Sequence, residues 1–134
     1  MSGKRFKTPS GGKQNGLKAP STTSPKVAAE GIPIFCFAYL QKGYGIEDLE
    51  KSEKVYILDE LDKMRQLSWI RWQSIDKTQG FEKVPLKQLT PKPPPDFADR
   101  EQVYVKRFSD VGRIIGFREG DIFHIVWIAR KKIY

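Results

Sequence analysis

Seven cations crowd the last 29 residues of this 134-residue chain: Lys106, Arg107, Arg113, Arg118, Arg130, Lys131 and Lys132. Tyr104 precedes them and Tyr134 follows them. Arg113 is the second residue of the segment GRIIGF and Arg130 directly follows IFHIVWIA, so two arginines flank strongly apolar runs. A guanidinium offers a rigid fork of donors that matches phosphate oxygens, which makes a phosphate-handling site the chemistry these residue types suggest. The plainer alternative is strand-end charge facing water, balanced by Asp110, Glu119 and Asp121. His124 is the single histidine, and imidazole titrates at about 6.5, so it is a candidate for acid–base work. Its place between Phe123 and Ile125 fits a half-buried strand histidine equally well.

These side chains need strands to position them. Residues 102–108, 112–119 and 121–130 read as three successive strands, joined by SDVG and by Glu119-Gly120. A two-residue Glu119-Gly120 loop pairs Arg118 with Asp121, Phe117 with Ile122, Ile115 with His124 and Arg113 with Val126. Alternation then gathers Arg113, Ile115, Phe117, His124, Val126 and Arg130 on one face, the two arginines near one end. Ile114, Phe123, Ile125 and Trp127 fall on the other, expected to pack against helices.

Upstream, IPIFCFAYLQ (32–41) reads as a buried strand. Apolar residues of 46–67, among them Ile46, Leu49, Tyr56, Leu58, Leu61 and Met64, recur mostly at helical spacing. SWIRWQSID (68–76) reads as a short helix capped by Ser68, with Trp69 and Trp72 as core. FEKVPLKQL (81–89) suggests a short strand, and the prolines of 90–99 a stiff surface loop. The expected class is α+β. Asp59 and Asp62 read as solvated charges on the long helix.

The net charge is +8. Residues 1–30 hold six Lys or Arg against Glu30 alone, and their Ser, Gly, Lys and Pro content predicts a flexible basic tail before a single domain over 31–134. Such an arm adds non-specific phosphate affinity or is simply a solvated linker. Cys36 is the only cysteine, so neither an intrachain disulfide nor a cysteine-based zinc site is expected. No apolar run reaches the ~20 residues of a membrane span, and the expectation is a cytoplasmic protein with no membrane partner. Gly-rich phosphate loops, nucleophile elbows and metal-ligand spacings are missing, so no cofactor and no metal are expected.

The pieces VYVKRF (103–108), GRIIGF (112–117), IFHIVWIA (122–129) and RKKIY (130–134), after VPLKQL, resemble the closing meander of the RelE/ParE superfamily of bacterial toxins. The motif likeness covers about residues 84–134, and the order of elements extends it to residue 32. The resemblance implies an N-terminal strand, one long and one short helix, and a three- to four-stranded antiparallel sheet. It also implies the toxin of a toxin–antitoxin system, a metal-independent endoribonuclease cutting mRNA on the ribosome. Arg113, Arg130, Tyr134 and Lys106 would be catalytic; Tyr104, Arg107, Arg118, Lys131 and Lys132 would bind RNA. The partners would be mRNA on the ribosome and a cognate antitoxin lying over the basic sheet. Two alternatives stand beside it: a gyrase inhibitor of the same fold, and a non-catalytic RNA-binding or interaction protein of mobile-element origin.

Overall fold

A computed structural model describes residues 31–134, so the expected basic tail over 1–30 lies outside the described residues. Ile32–Tyr134 form one compact unit. Five strands make its sheet: β1 (Ile34–Cys36), β2 (Phe81–Pro85), β3 (Gln102–Arg107), β4 (Arg113–Glu119) and β5 (Ile122–Ala129). Their spatial order is β1-β5-β4-β3-β2. Helices α1 (Lys51–Met64) and α2 (Trp69–Gln73) lie between β1 and β2 in the chain. The α+β class and the pairing of one long with one short helix agree with expectation. The sheet is larger than the three to four strands expected, and it is mixed, because β1 runs parallel to β5 at one edge.

Local chemistry accounts for the helices. Glu50 and Glu53 form a reciprocal capping box that starts α1 at Lys51, while Ile46–Asp48 make only a 3₁₀ turn. Ile57 and Met64 are the buried apolar residues of α1, whereas Ile46, Tyr56 and Leu58, expected inside, are exposed. Ser68 caps α2 as expected, its Oγ accepting the Arg71 N–H at 3.2 Å. Trp69 and Trp72 are both buried, and their indole N–H groups donate to the carbonyls of Asp121 and Met64.

The sheet is apolar on both faces, so it needs two covers. Met64, Trp69 and Trp72 pack on one face, against Phe81, Ile114, Phe123 and Ile125. The second face carries Val103, Val105, Ile115, Phe117 and Trp127, and the proline-rich segment closes over it. Residues 90–99 are mostly exposed, as the expected surface loop, but Pro94 and Phe97 are buried and anchor the loop on this face. Phe97 is buried and stacks on Phe117 with ring centroids 4.6 Å apart. Burying one such ring supplies about 1.5–3 kcal/mol, which helps hold in place a segment whose only regular structure is the 3₁₀ turn Pro95–Phe97. Thr90 N–H donates to the Ile133 carbonyl at 2.9 Å and ties the C-terminal residues to the same loop.

The β4–β5 hairpin departs from the expected register twice. Glu119 pairs with Ile122, so the loop is Gly120-Asp121, with Gly120 at φ 61°. That shift moves both strands equally and leaves the faces near the turn unchanged: Phe117 opposes His124. Further along, Gly116 pairs with Ile125 but Ile115 with Trp127, and Val126 bulges out of the ladder. A Cβ on Gly116 would run into the His124 carbonyl, so the bulge sits where the opposite strand has no side chain. The carbonyl of Val126 accepts instead from Gln41 N–H at 2.9 Å. β1 is therefore short, and residues after it follow β5 irregularly rather than as a strand to 41. Beyond the bulge the faces of β5 are reversed, while β4 keeps those expected for it. Trp127 points away from the helices, and Arg113 opposes Ala129.

Candidate phosphate-binding site

The register decides what happens to the cations. Lys106 pairs with Ile114, whose side chain belongs to the helix-side core, so Lys106 points beneath α1. Its side chain is 4% exposed and its Nζ lies 2.5 Å from Glu60 Oε2. Lys63 approaches the other oxygen of Glu60 at 3.7 Å, and the Trp72 ring lies 5.1 Å from Lys106 Nζ. A buried ammonium is tolerable only with such a partner, because an unpaired charge loses its hydration without return.

Beside this pair is a polar cavity of about 410 Å³. Lys63, Lys106 and Arg107 contribute three positive charges to its wall, and Glu60 and Asp110 two negative ones. Thr78, Gln79 and Ser109 complete the polar lining. Arg107 Nε is buried and finds no hydrogen-bond partner among the described residues. An orphaned donor of this kind costs about 1–3 kcal/mol, which an incoming oxygen ligand would recover. Asp76 accepts from the backbone N–H and the hydroxyl of Thr78, which lines the cavity. Its carboxyl is held below the usual range chiefly by the Thr78 N–H, then by the Thr78 hydroxyl, with smaller help from Lys77 and Arg107.

Arg113 opposes Arg107 across the β3–β4 ladder, on the face away from the helices. It is 5% exposed. Its Nη1 donates to the carbonyls of Ser109, Asp110 and Gly112 at 3.0–3.3 Å and so clamps the β3–β4 turn. Its Nε donates to the Tyr134 hydroxyl at 3.3 Å, and that hydroxyl donates to Glu82 Oε1 at 3.5 Å. Lys132 stands 5.1 Å from the Tyr134 ring. Two of the four residues expected to be catalytic therefore meet here.

Arg130 does not join them. It follows β5 past the bulge and pairs with Glu53 at 3.0 Å and Glu50 at 3.5 Å, tying the C-terminal segment to the start of α1. The expectation that Arg113 and Arg130 share one face is overturned, and the bulge at Val126 is the reason. Lys131 is exposed beside Arg130, at a cleft of about 480 Å³ whose wall includes Asp48 and Glu53. Glu53 lies below the ordinary carboxylate range, first because it accepts the Glu50 N–H and then because Arg130 bonds and faces it.

The remaining candidates are scattered. Arg118 sits at the opposite end of β4, 4.6 Å over the Trp69 ring, with its Nε on the Gly120 carbonyl. Tyr104 packs edge-on to Trp69 and Phe81. His124 is buried, and its Nε2 is 3.0 Å from Glu119 Oε1. Tyr39 and Phe97 pack against the His124 ring, and its Nδ1 has no partner among the described residues. It opposes Phe117, several pairs along the ladder from Arg113.

Glu60 and Glu82, the carboxylates that organise the two halves of this sheet end, were not singled out from the sequence. Glu60 carried a signal: Glu53, Ile57, Glu60 and Met64 form one helical stripe, which puts a carboxylate on a core-facing side. Among the described residues no group of His, Cys, Asp and Glu could hold a metal ion, and no helix is long and apolar enough to cross a membrane. No known protein family, curated protein or solved structure matches this chain.

Proposed function

We propose that the chain binds the phosphodiester backbone of RNA at the β3–β4 end of its sheet, without cutting it. One observation carries this reading: Arg107, with its buried and unpartnered Nε, stands in the wall of a polar cavity whose charged residues sum to +1. A phosphodiester is a monoanion rich in acceptors, which suits that wall. Lys106 contributes field from beneath α1, while Lys63 and Arg107 offer donors. RNA is the polymer favoured by the likeness of the meander to RelE/ParE toxins. The non-catalytic reading is preferred because Arg113 spends its guanidinium on three carbonyls and Arg130 spends its own on two carboxylates.

A second reading, the metal-independent mRNA endoribonuclease with its ribosome and antitoxin partners, rests on the Arg113–Tyr134–Glu82 chain of hydrogen bonds. In it the 2′-oxygen attacks the adjacent phosphorus and the bond to the 5′-oxygen breaks. Tyr134 takes the 2′-hydroxyl proton as it passes its own to Glu82, Arg113 holds the phenol in place, and the leaving 5′-oxygen takes a proton from water. Both readings belong in the cytoplasm, where the ribosomes are.

Fluorescence anisotropy with a labelled single-stranded RNA, across a salt series, tests the first reading. Arg107→Ala is expected to weaken binding by roughly fivefold to tenfold and to lower the salt slope by about one counterion. Unchanged affinity and slope in that variant overturn it. Incubation with translating ribosomes tests the second reading: new mRNA ends made by wild type and lost in Tyr134→Phe would establish the nuclease in place of the binding protein.

A further inference from the structure

The outer side of α1 carries a pattern that the phosphate site does not use. Lys51, Val55, Leu58 and Asp62 are spaced by four, three and four residues, the spacing of a coiled-coil seam. All four are exposed, Val55 at 55% and Leu58 at 66%. Two large apolar side chains at the centre of an exposed stripe, flanked by one cation and one anion, mark a contact surface. An apolar groove of about 380 Å³ runs along one flank of the stripe, between Leu58 and Leu61 of α1 and Phe37 and Ile46.

The charges indicate what the surface meets. Lys51 and Asp62 are eleven residues apart, roughly 16 Å along the helix, and cannot pair within one chain. Lys51 makes no ion pair among the described residues, and Asp62 is held only by exposed contacts to Arg65 and Gln66. The order of charges also opposes the macrodipole of its own helix, with the cation at the start and the anion near the end. A second α1 lying antiparallel reverses every one of these relations. A two-fold axis between Val55 and Leu58 sets Val55 against the partner's Leu58 and Lys51 against the partner's Asp62. It also places the two macrodipoles head to tail. In that arrangement both grooves fall on the same side of the helix pair, so Leu61 and the stem of Lys54 of each copy extend the contact.

We propose that α1 is a self-association surface, through which two copies of this chain pair as an antiparallel, isologous dimer. The inference is independent of the phosphate site, which lies on the inner side of α1 at Glu60. A single helix pair is smaller than a standard interface, so association falls in the micromolar range rather than the nanomolar.

Analytical ultracentrifugation of the full chain over micromolar to sub-millimolar concentrations provides the test, with circular dichroism confirming that each variant is folded. Wild type is expected to dimerise, and Leu58→Glu to remain monomeric. Lys51→Glu alone and Asp62→Lys alone should each weaken dimerisation by about tenfold, because each sets like charges together twice. The double variant Lys51→Glu/Asp62→Lys should restore it, and an equimolar mixture of the two single variants should form mixed dimers in preference to either homodimer. A wild type that stays monomeric throughout overturns the proposal. So does a dimer that Lys51→Glu leaves intact, or one that the double variant fails to restore, since the contact would then lie elsewhere.

Discussion

Lys106 and Arg130 were both expected in one catalytic set, yet each ends on a different carboxylate of α1 or its cap. Lys106 reaches Glu60 beneath the helix, where both side chains are largely shielded. Arg130 reaches Glu50 and Glu53 at the helix start, where Arg130 is 46% and Glu50 73% exposed. The chemistry is the same and the consequence differs. The shielded pair lacks solvent to replace a lost partner, while the exposed one exchanges each contact for water at little cost. The difference also sorts function: the shielded pair borders a polar cavity with an unsatisfied donor, and the exposed set is a tether for the C-terminal segment.

The strongest way to break this contrast is at Glu60. Glu60→Ala leaves Lys106 without its counter-charge and should destabilise the fold by about 3 kcal/mol or more, read by urea denaturation. Replacing both partners, as Lys106→Met/Glu60→Leu, should recover most of that loss, while abolishing any RNA affinity that depends on Lys106. A variant as stable as wild type with Glu60→Ala alone would show that water in the cavity serves the lysine equally well.

The next effect probes the bulge that sends Arg113 and Arg130 to different places. Gly116→Ala drives a methyl group towards the His124 carbonyl and should cost about 1–3 kcal/mol, with the largest amide shifts in an NMR spectrum along 113–129. Shifts confined to the helices would refute the bulge as the strained point.

Smaller still is the exposed tether. Arg130→Ala should lower the melting temperature only slightly, and the difference should shrink as salt is added. Glu53 adds a pH signature to the same end. Its folded pKa is depressed below the ordinary 4.5, first by the Glu50 N–H and then by Arg130, so its contribution is complete above about pH 4.5. That contribution disappears as the pH falls through the lowered folded value. The stability gap between wild type and Glu53→Gln should therefore be open at neutral pH and closed in acid. A gap that widens in acid would reverse the sign and discard the assignment.

The features legible in the sequence were those that depend on near neighbours. Ser68 announced its cap, the tryptophans three apart announced a buried side of α2, and the alternating runs announced β3, β4 and β5 to within about one residue at each end. Gly116 announced the bulge, since a glycine inside an aliphatic strand usually marks one, but the even alternation was followed past it. From that point Trp127 and Arg130, both on the β5 side of the hairpin, were assigned to the wrong faces, while Arg113 kept its expected one. The site suffered in proportion: Arg113 and Tyr134 do meet, Arg130 leaves, and the two carboxylates that hold the others come from α1 and β2, far away in sequence.

By itself, the sequence determined the type of each main element, the cap that begins α2, and the excess of positive charge. Each of those is decided by sterics and hydrogen bonds within a few residues. Only the tertiary structure decided the rest: that β1 joins the sheet beside β5, that Phe97 anchors the proline segment on the second face, and that Lys106, Arg113 and Arg130 find particular carboxylates or carbonyls. Those choices compare burial against desolvation across long stretches of chain, and no local window contains both sides of that comparison.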